Sequence, residues 1–256
     1  MVPDVESGGK PLLEAVDICR SYRLNGSVHQ VLEGIRFTVR QGEFTCVTGR
    51  SGCGKTTLLK ILAGLTSPSS GRVLMEGSPV RGPGPDRCVV FQEYALFPWL
   101  TVEENIAFGL KIRRMQKAAA KEAVDRYLDL MGLSRFKNYL PREISGGMKQ
   151  RVALARVLIL NPRILLMDEP FGALDAQTRE DMQSLLLELW QELHHTILFV
   201  THDANEALLM ADRILIMGIN PGRIVKEISV DLPRPRAKEK REFLLMGQEL
   251  HAALRS

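Results

Sequence analysis

Phe44-Thr45-Cys46-Val47-Thr48-Gly49-Arg50-Ser51-Gly52-Cys53-Gly54-Lys55-Thr56-Thr57-Leu58-Leu59 is an apolar run that enters a glycine-rich turn and leaves it as a helical pattern. Residues 49–56 fit G-x-x-x-x-G-K-[ST], and they do so in the context the pattern needs, after a strand and before a helix. Glycines let backbone N–H groups converge on phosphate oxygens, and the helix start adds its partial positive charge. The candidate nucleotide-binding residues are therefore Gly49, Arg50, Ser51, Gly52, Cys53, Gly54, Lys55, Thr56 and Thr57. Lys55 is placed to reach the β- and γ-phosphates, and the Thr56 hydroxyl to meet Mg²⁺. Leu58, Leu59, Leu62 and Leu65 fall on one face and predict a helix from Thr56 to Leu65.

A second strand-like run, Ile164-Leu165-Leu166-Met167, ends in Asp168-Glu169. An apolar strand ending in a carboxylate is the arrangement that sets Asp168 beside a phosphate-bound Mg²⁺, with Glu169 one residue on as the polariser of an attacking water. Ser145-Gly146-Gly147-Met148-Lys149-Gln150-Arg151 reads as a helix start, with Ser145 as N-cap and two glycines whose N–H groups suit an anion.

Around these motifs, strands and helices alternate. Residues 12–48 are β-like, with Val31, Ile35, Phe37 and Val39 as strand residues. The block from about 101 to 160 is helical, Val124, Tyr127, Leu128 and Met131 forming one stripe. Further strands are expected at Ile164–Met167, Thr196–Val200 and Ile214–Met217. A helix between the first two turns Met182, Leu185, Leu186, Leu189 and Leu193 inward. Such alternation predicts an α/β fold with a mostly parallel sheet and a helical insertion.

The chain has 256 residues, 45% of them hydrophobic and 25% charged, with a net charge of +4 from 34 basic and 30 acidic residues. That excludes a disordered chain, and so mild a basic excess is no nucleic-acid footprint. No stretch approaches the roughly 18 apolar residues of a membrane span. The start, Met1-Val2-Pro3-Asp4, has no signal-peptide pattern, so reduced thiols are expected at Cys19, Cys46, Cys53 and Cys88.

In this order the motifs resemble the nucleotide-binding subunits of ATP-binding cassette transporters, over residues from about Leu12 to Pro233. The family's LSGGQ signature reads here Ile144-Ser145-Gly146-Gly147-Met148, keeping the serine and both glycines. The resemblance implies a P-loop NTPase core with an N-terminal antiparallel β subdomain and an inserted helical subdomain at about 93–160. It implies a single ATPase domain over 11–232, a flexible N-terminus at 1–10 and a basic C-terminal tail at 233–256. It also implies roles for further residues. Gln92 contacts Mg²⁺ and water, and Asp175 belongs to a loop that crosses to a second subunit. His202 touches the γ-phosphate, and Tyr22 stacks on adenine.

ATP hydrolysis with Mg²⁺ follows as the implied activity. Ser145, Gly146 and Gly147 would cap ATP held by a second copy in a head-to-tail dimer. The further partners are integral-membrane permease subunits and, indirectly, a solute-binding protein, with no nucleic acid. The chain would then sit peripherally on the cytoplasmic face of the membrane. Phe91-Gln92-Glu93-Tyr94-Ala95-Leu96-Phe97-Pro98-Trp99-Leu100 and Pro221-Gly222-Arg223-Ile224 resemble the nitrate, sulfonate and taurine importer group. Another importer or an exporter subunit is the alternative. Nucleic-acid-clamping relatives carry long coiled coils between loop and signature, whereas Lys55 and Ser145 lie only 90 residues apart (145 − 55). Phe97-Pro98-Trp99-Leu100 stays open between buried core and a permease-docking surface. The solvated state is the default expectation for the tail.

Overall fold

The structure, a computed structural model, describes residues 10–24 and 26–255. The flexible N-terminus expected at 1–10 lies, but for Lys10, outside the described residues. In chain order the strands are β1 (Pro11–Leu24), β2 (Ser27–Arg40), β3 (Phe44–Gly49), β4 (Ser70–Met75), β5 (Ser78–Pro79), β6 (Arg87–Val90), β7 (Ile164–Asp168), β8 (Thr196–Thr201), β9 (Arg213–Met217) and β10 (Ile224–Ser229). The helices are α1 (Lys55–Leu62), α2 (Val102–Ile112), α3 (Lys117–Leu130), α4 (Gly146–Leu158), α5 (Ala176–Leu193), α6 (Ala204–Met210) and α7 (Arg241–Arg255). The chain divides into two compact units. One runs up to Pro83 and resumes at Thr201; the other is Gly84–Val200.

In the first unit β1 pairs antiparallel with β2 on one side and β4 on the other, and β4 continues into β5. The second half of β2 alternates, burying Leu32, Ile35, Phe37 and Val39 and exposing Arg36 and Thr38, the period-2 signature of a one-sided sheet. β3 pairs parallel with β9, and β10 closes antiparallel on β9. All six residues of β3 are buried, as a strand covered on both faces requires. Helix α1 stops at Leu62 because Gly64 turns left-handed (φ +75°), so Leu65 is 48% exposed and not on the buried stripe expected for it.

In the second unit β6, β7 and β8 run parallel, with Arg87 opposite Ile164 and Ile164 opposite Thr196. Helix α2 opens on a capping box: the Thr101 hydroxyl accepts from the Glu104 N–H, and the Glu104 carboxylate from the Thr101 N–H. Val124, Leu128 and Met131 of the α3 stripe are buried, while Tyr127 keeps its hydroxyl on the Leu158 carbonyl. Met182, Leu186 and Leu189 of α5 are buried, and Leu185 and Leu193 only partly.

Residues 233–255 are not a solvated tail. Arg236 is 8% exposed, and its guanidinium donates to the carbonyls of Leu208 (2.7 Å), Ala211 (2.6 Å), Val230 (3.1 Å) and Leu232 (3.1 Å). Arg234 pairs with Asp212 at 2.6 Å and donates to the Met210 carbonyl. The physical reason is the end of α6, whose last carbonyls lack helical partners and draw cations. Beyond them α7 buries Phe243 and Leu250. Burial, then repulsion from Arg234, pushes the Arg236 guanidinium down to about 10, with Asp212 opposing.

None of the four cysteines is in a disulfide, and Cys46, Cys53 and Cys88 are buried. Burial is the foremost cause raising the Cys46 and Cys88 thiols above their ordinary range, so both stay protonated and unreactive. Among the described residues no helix is long and apolar enough to cross a membrane.

Replacing Arg236 by Lys keeps the charge but cannot span several carbonyls. It should cost about 1–3 kcal/mol, the penalty of leaving buried acceptors unmet. Urea unfolding measures this as a lower midpoint at unchanged slope; an unmoved midpoint would show that the carbonyls do not depend on the fork.

Candidate functional site

In the first unit the buried strand β3 delivers its chain directly into the glycine-rich turn, and α1 starts at Lys55. Gly54 precedes it at φ +99°, and a Cβ there would lie 2.7 Å from Leu32 Cδ2, so both conformation and space demand glycine. No side chain caps α1. Its opening N–H groups are thus presented at a turn whose Arg50, Ser51, Gly52 and Thr56 are exposed, with Thr57 partly so. Lys55 is 5% exposed and donates from Nζ to the carbonyls of Gly49 (2.8 Å) and Arg50 (3.2 Å). Cys53 is buried behind the turn.

Behind the turn lies a residue whose role sequence reasoning missed. Gly222 donates to the Val31 carbonyl at 2.9 Å and accepts from the Glu33 N–H at 3.0 Å. A Cβ on it would fall 2.1 Å from the Cys53 carbonyl oxygen, so this glycine lets the 221–224 turn back the phosphate-loop candidate directly. The only sequence signal was Pro221-Gly222-Arg223-Ile224, read there as a group resemblance. Tyr22 lies on β1, exposed, with the Arg20 guanidinium 4.4 Å over its ring. His202 is exposed between the end of β8 and Asp203, the residue that caps α6.

The second unit brings together most of the remaining candidates. Asp168 is the last residue of β7 and 6% exposed. Glu169 follows at φ +45°, its N–H on the Val200 carbonyl (2.9 Å) and its carbonyl accepting from the Gly172 N–H (3.1 Å). A glutamate in the left-handed region costs about 1–3 kcal/mol and persists where surrounding structure over-determines it, a pattern that clusters at functional sites. Gln92 joins the same turn. The Cβ position of Gly172 is 3.5 Å from Gln92 Nε2 and 3.5 Å from the Glu169 carbonyl oxygen.

Two helix starts meet nearby in sequence terms. Ser145 caps α4, its Oγ accepting from the Met148 N–H at 3.3 Å, as the sequence predicts. Asp175 caps α5, accepting from the N–H (3.0 Å) and the hydroxyl (2.8 Å) of Thr178. Those hydrogen bonds hold its carboxyl below the usual carboxylate range. A Cβ on Gly147 would lie 2.5 Å from Thr178 Cγ2, so the starts of α4 and α5 approach as closely as glycine permits.

The chemistry of these groups is that of anion binding and hard-cation contact. Among the described residues no cluster of three or more His, Cys, Asp or Glu side chains could cage a metal. Within the second unit the Gln92 amide and the buried Asp168 carboxylate are oxygen donors of the kind a hard cation takes.

Comparison with known proteins agrees with this chemistry. Residues 32–172 match the family described as ABC transporter. The nitrate import ATP-binding protein NrtD of Synechocystis sp. is 44% identical over 253 residues, covering 95% of each chain. The bicarbonate transport ATP-binding protein CmpD of Synechococcus elongatus is 43% identical, covering 91% of this chain and 85% of that one. Among solved structures, a dimeric post-hydrolysis state of the ATP-binding cassette MJ0796 bound to ADP and Pi superposes with a TM-score of 0.76. It is 30% identical and covers 86% of this chain and 100% of the other.

Gly147→Ala should destabilise the chain by about 1–3 kcal/mol through overpacking against the Thr178 methyl. Thr178→Ser removes that methyl and keeps the hydroxyl on Asp175, so the double variant should recover most of the loss. Thermal melts of the two singles and the double check the cycle.

Proposed function

The chain belongs to the ABC transporter family, and on that premise we propose that it is the ATP-hydrolysing subunit of an importer of the nitrate/sulfonate/taurine type, acting through separate permease subunits. The relatives named for nitrate and bicarbonate support the import branch. The observation that carries the mechanism is Glu169, held in a strained backbone conformation directly after the buried Asp168 and beside Gln92.

The backbone N–H groups of residues 50–56 bind the phosphates, and Lys55 exchanges its carbonyl acceptors at Gly49 and Arg50 for phosphate oxygens. Thr56 and Asp168, with Gln92 as a further contact, would hold Mg²⁺, which would supply neutralisation of charge on the phosphates. Glu169 accepts a proton from the attacking water, and His202 donates to the γ-phosphate. Tyr22 offers adenine a stacking face, its ring already held by Arg20. Ser145, Gly146 and Gly147 present the start of α4 to ATP on a second copy, with Asp175 at the same crossing. The dimeric state of the MJ0796 cassette supports such a pairing. We place the protein peripherally on the cytoplasmic face of the membrane, where a solute-binding protein acts on it only through the permease.

Trp99 supports the docking reading of its segment. It is 72% exposed, which removes the core reading. Its turn is fixed by Asn105, fully buried, whose Oδ1 accepts from the Phe97 N–H (2.9 Å) and whose Nδ2 donates to the Leu100 and Thr101 carbonyls (2.9 Å each). A large exposed aromatic on a hydrogen-bonded turn is placed as interface anchors are, with the backbone ordering already made. We assign it to the permease contact.

Glu169→Gln should retain ATP binding, slow hydrolysis by about 10²–10⁴-fold and accumulate an ATP-bound dimer on size exclusion; near-normal turnover would move the base elsewhere. Trp99→Ala should keep its melting temperature yet fail to co-purify with its permease, whereas retained co-purification would clear Trp99 of the docking role.

A further inference from the structure

The segment Tyr94–Trp99 lies against helix α4 at two places far apart along that helix and is hydrogen-bonded to it at one. Near its start, Tyr94 Oη is 3.1 Å from where a Cβ on Gly146 would stand. Ten residues further on, about 15 Å at the α-helical rise, Arg156 donates to the carbonyls of Ala95 (2.8 Å) and Tyr94 (3.3 Å). Its guanidinium also lies 5.6 Å over the Phe97 ring. The Phe97 ring packs in turn, tilted, against Phe108 (centroids 4.3 Å apart) and Trp99 (5.8 Å). Ala95 sits at φ +47°, a conformation that a non-glycine residue keeps only when something outside it holds the chain. The two carbonyls on Arg156 are that hold.

Arg156 is an unusual choice for mere packing. It is half-buried, and among the described residues no carboxylate pairs with it. Burial lowers its pKa below the ordinary range. A methionine or leucine would fill the space without desolvating a charge. What an aliphatic side chain cannot do is grip two successive carbonyls and a ring from one fork.

We propose that Arg156 is a positioning residue that locks the Trp99 turn onto α4, so that the exposed tryptophan and the Ser145–Gly147 helix start move as one piece. This rests on the reading above, in which that helix start meets nucleotide on a second copy and Trp99 meets the permease. The consequence is mechanical. Displacement of α4 by nucleotide is delivered to the docking aromatic by the helix itself, with no flexible element between.

The test uses the full chain in a Trp190→Phe, Glu169→Gln background, where Trp99 is the only tryptophan and ATP persists. Without nucleotide, time-resolved anisotropy should show Trp99 moving with the whole molecule. In Arg156→Met a fast local component should appear, and in Arg156→Lys, the variant kept in case Met compromises folding, a smaller one. Unchanged decays in the folded variants would overturn the proposal. With saturating Mg-ATP, acrylamide quenching of Trp99 should change as the dimer forms on size exclusion, and this response should be lost in Arg156→Met although its dimer still forms. A full response in the variant, or a parent dimer that leaves Trp99 unaltered, overturns the lock. Absence of any dimer in the parent would strike the sandwich reading instead, and the nucleotide-free anisotropy would still decide the lock.

Discussion

A helix start without a side-chain cap is a set of N–H groups that must find an acceptor, and α1 begins in that state behind Gly54. The rest of the first unit serves that start. The wholly buried β3 fixes where the chain enters the turn, Gly222 fills the space behind Cys53, and Lys55 is kept inside by two carbonyls of its own loop. A lysine 5% exposed is costly unless its charge is met, and the carbonyls of Gly49 and Arg50 are two of the groups that meet it. On the proposed reading, phosphate oxygens are the stronger, charged acceptors for the same ammonium.

The second unit solves the opposite problem of holding negative charge ready. Asp168 is buried at a strand end, and Glu169 is forced left-handed by hydrogen bonds at both its N–H and its carbonyl. Both bonds are made by the backbone, so the conformation of Glu169 is set by main-chain partners. The helix starts at Ser145 and Asp175 show the same economy. Each cap meets one backbone N–H, that of Met148 or of Thr178, and the contact between Gly147 and Thr178 sets their spacing.

What sequence reveals here follows from how local each determinant is. The phosphate-loop candidate, the Asp168-Glu169 strand end and the Ser145 cap are contiguous signals, and the structure forms each element where the residues predict it. Relations across long separations were not legible. Nothing near Arg236 announces that the end of α6, some 25 residues upstream, needs its guanidinium. A run of Pro and Arg reads as solvated until the unpaired carbonyls are known. Gly222 against Cys53 and Arg156 against Ala95 are of the same kind. Leu65 failed for a local reason instead, since periodicity continues past a glycine that the backbone does not. Exposure of Trp99 was undecidable because four apolar residues in a row carry no direction; the buried Asn105 supplies it.

On the proposed reading, nucleotide does work only through differential affinity: ATP must favour the paired state over the separate one, and ADP must not. The groups that can make that difference are those reaching the γ-phosphate from a second copy, the N–H groups and hydroxyl at Ser145–Gly147. A hydrogen bond to a charged oxygen is worth about 1.5–3 kcal/mol, so two or three of them approach the roughly 5.5 kcal/mol that carries an equilibrium from one state almost wholly to the other. Loss of the γ-phosphate removes that sum at once. The helix that bears these groups must therefore be stiff and well anchored, because slack of an ångström would spend the same energy on local adjustment. Fully buried Val152, Leu154 and Ala155, with Arg156 gripping the neighbouring turn, give α4 that stiffness.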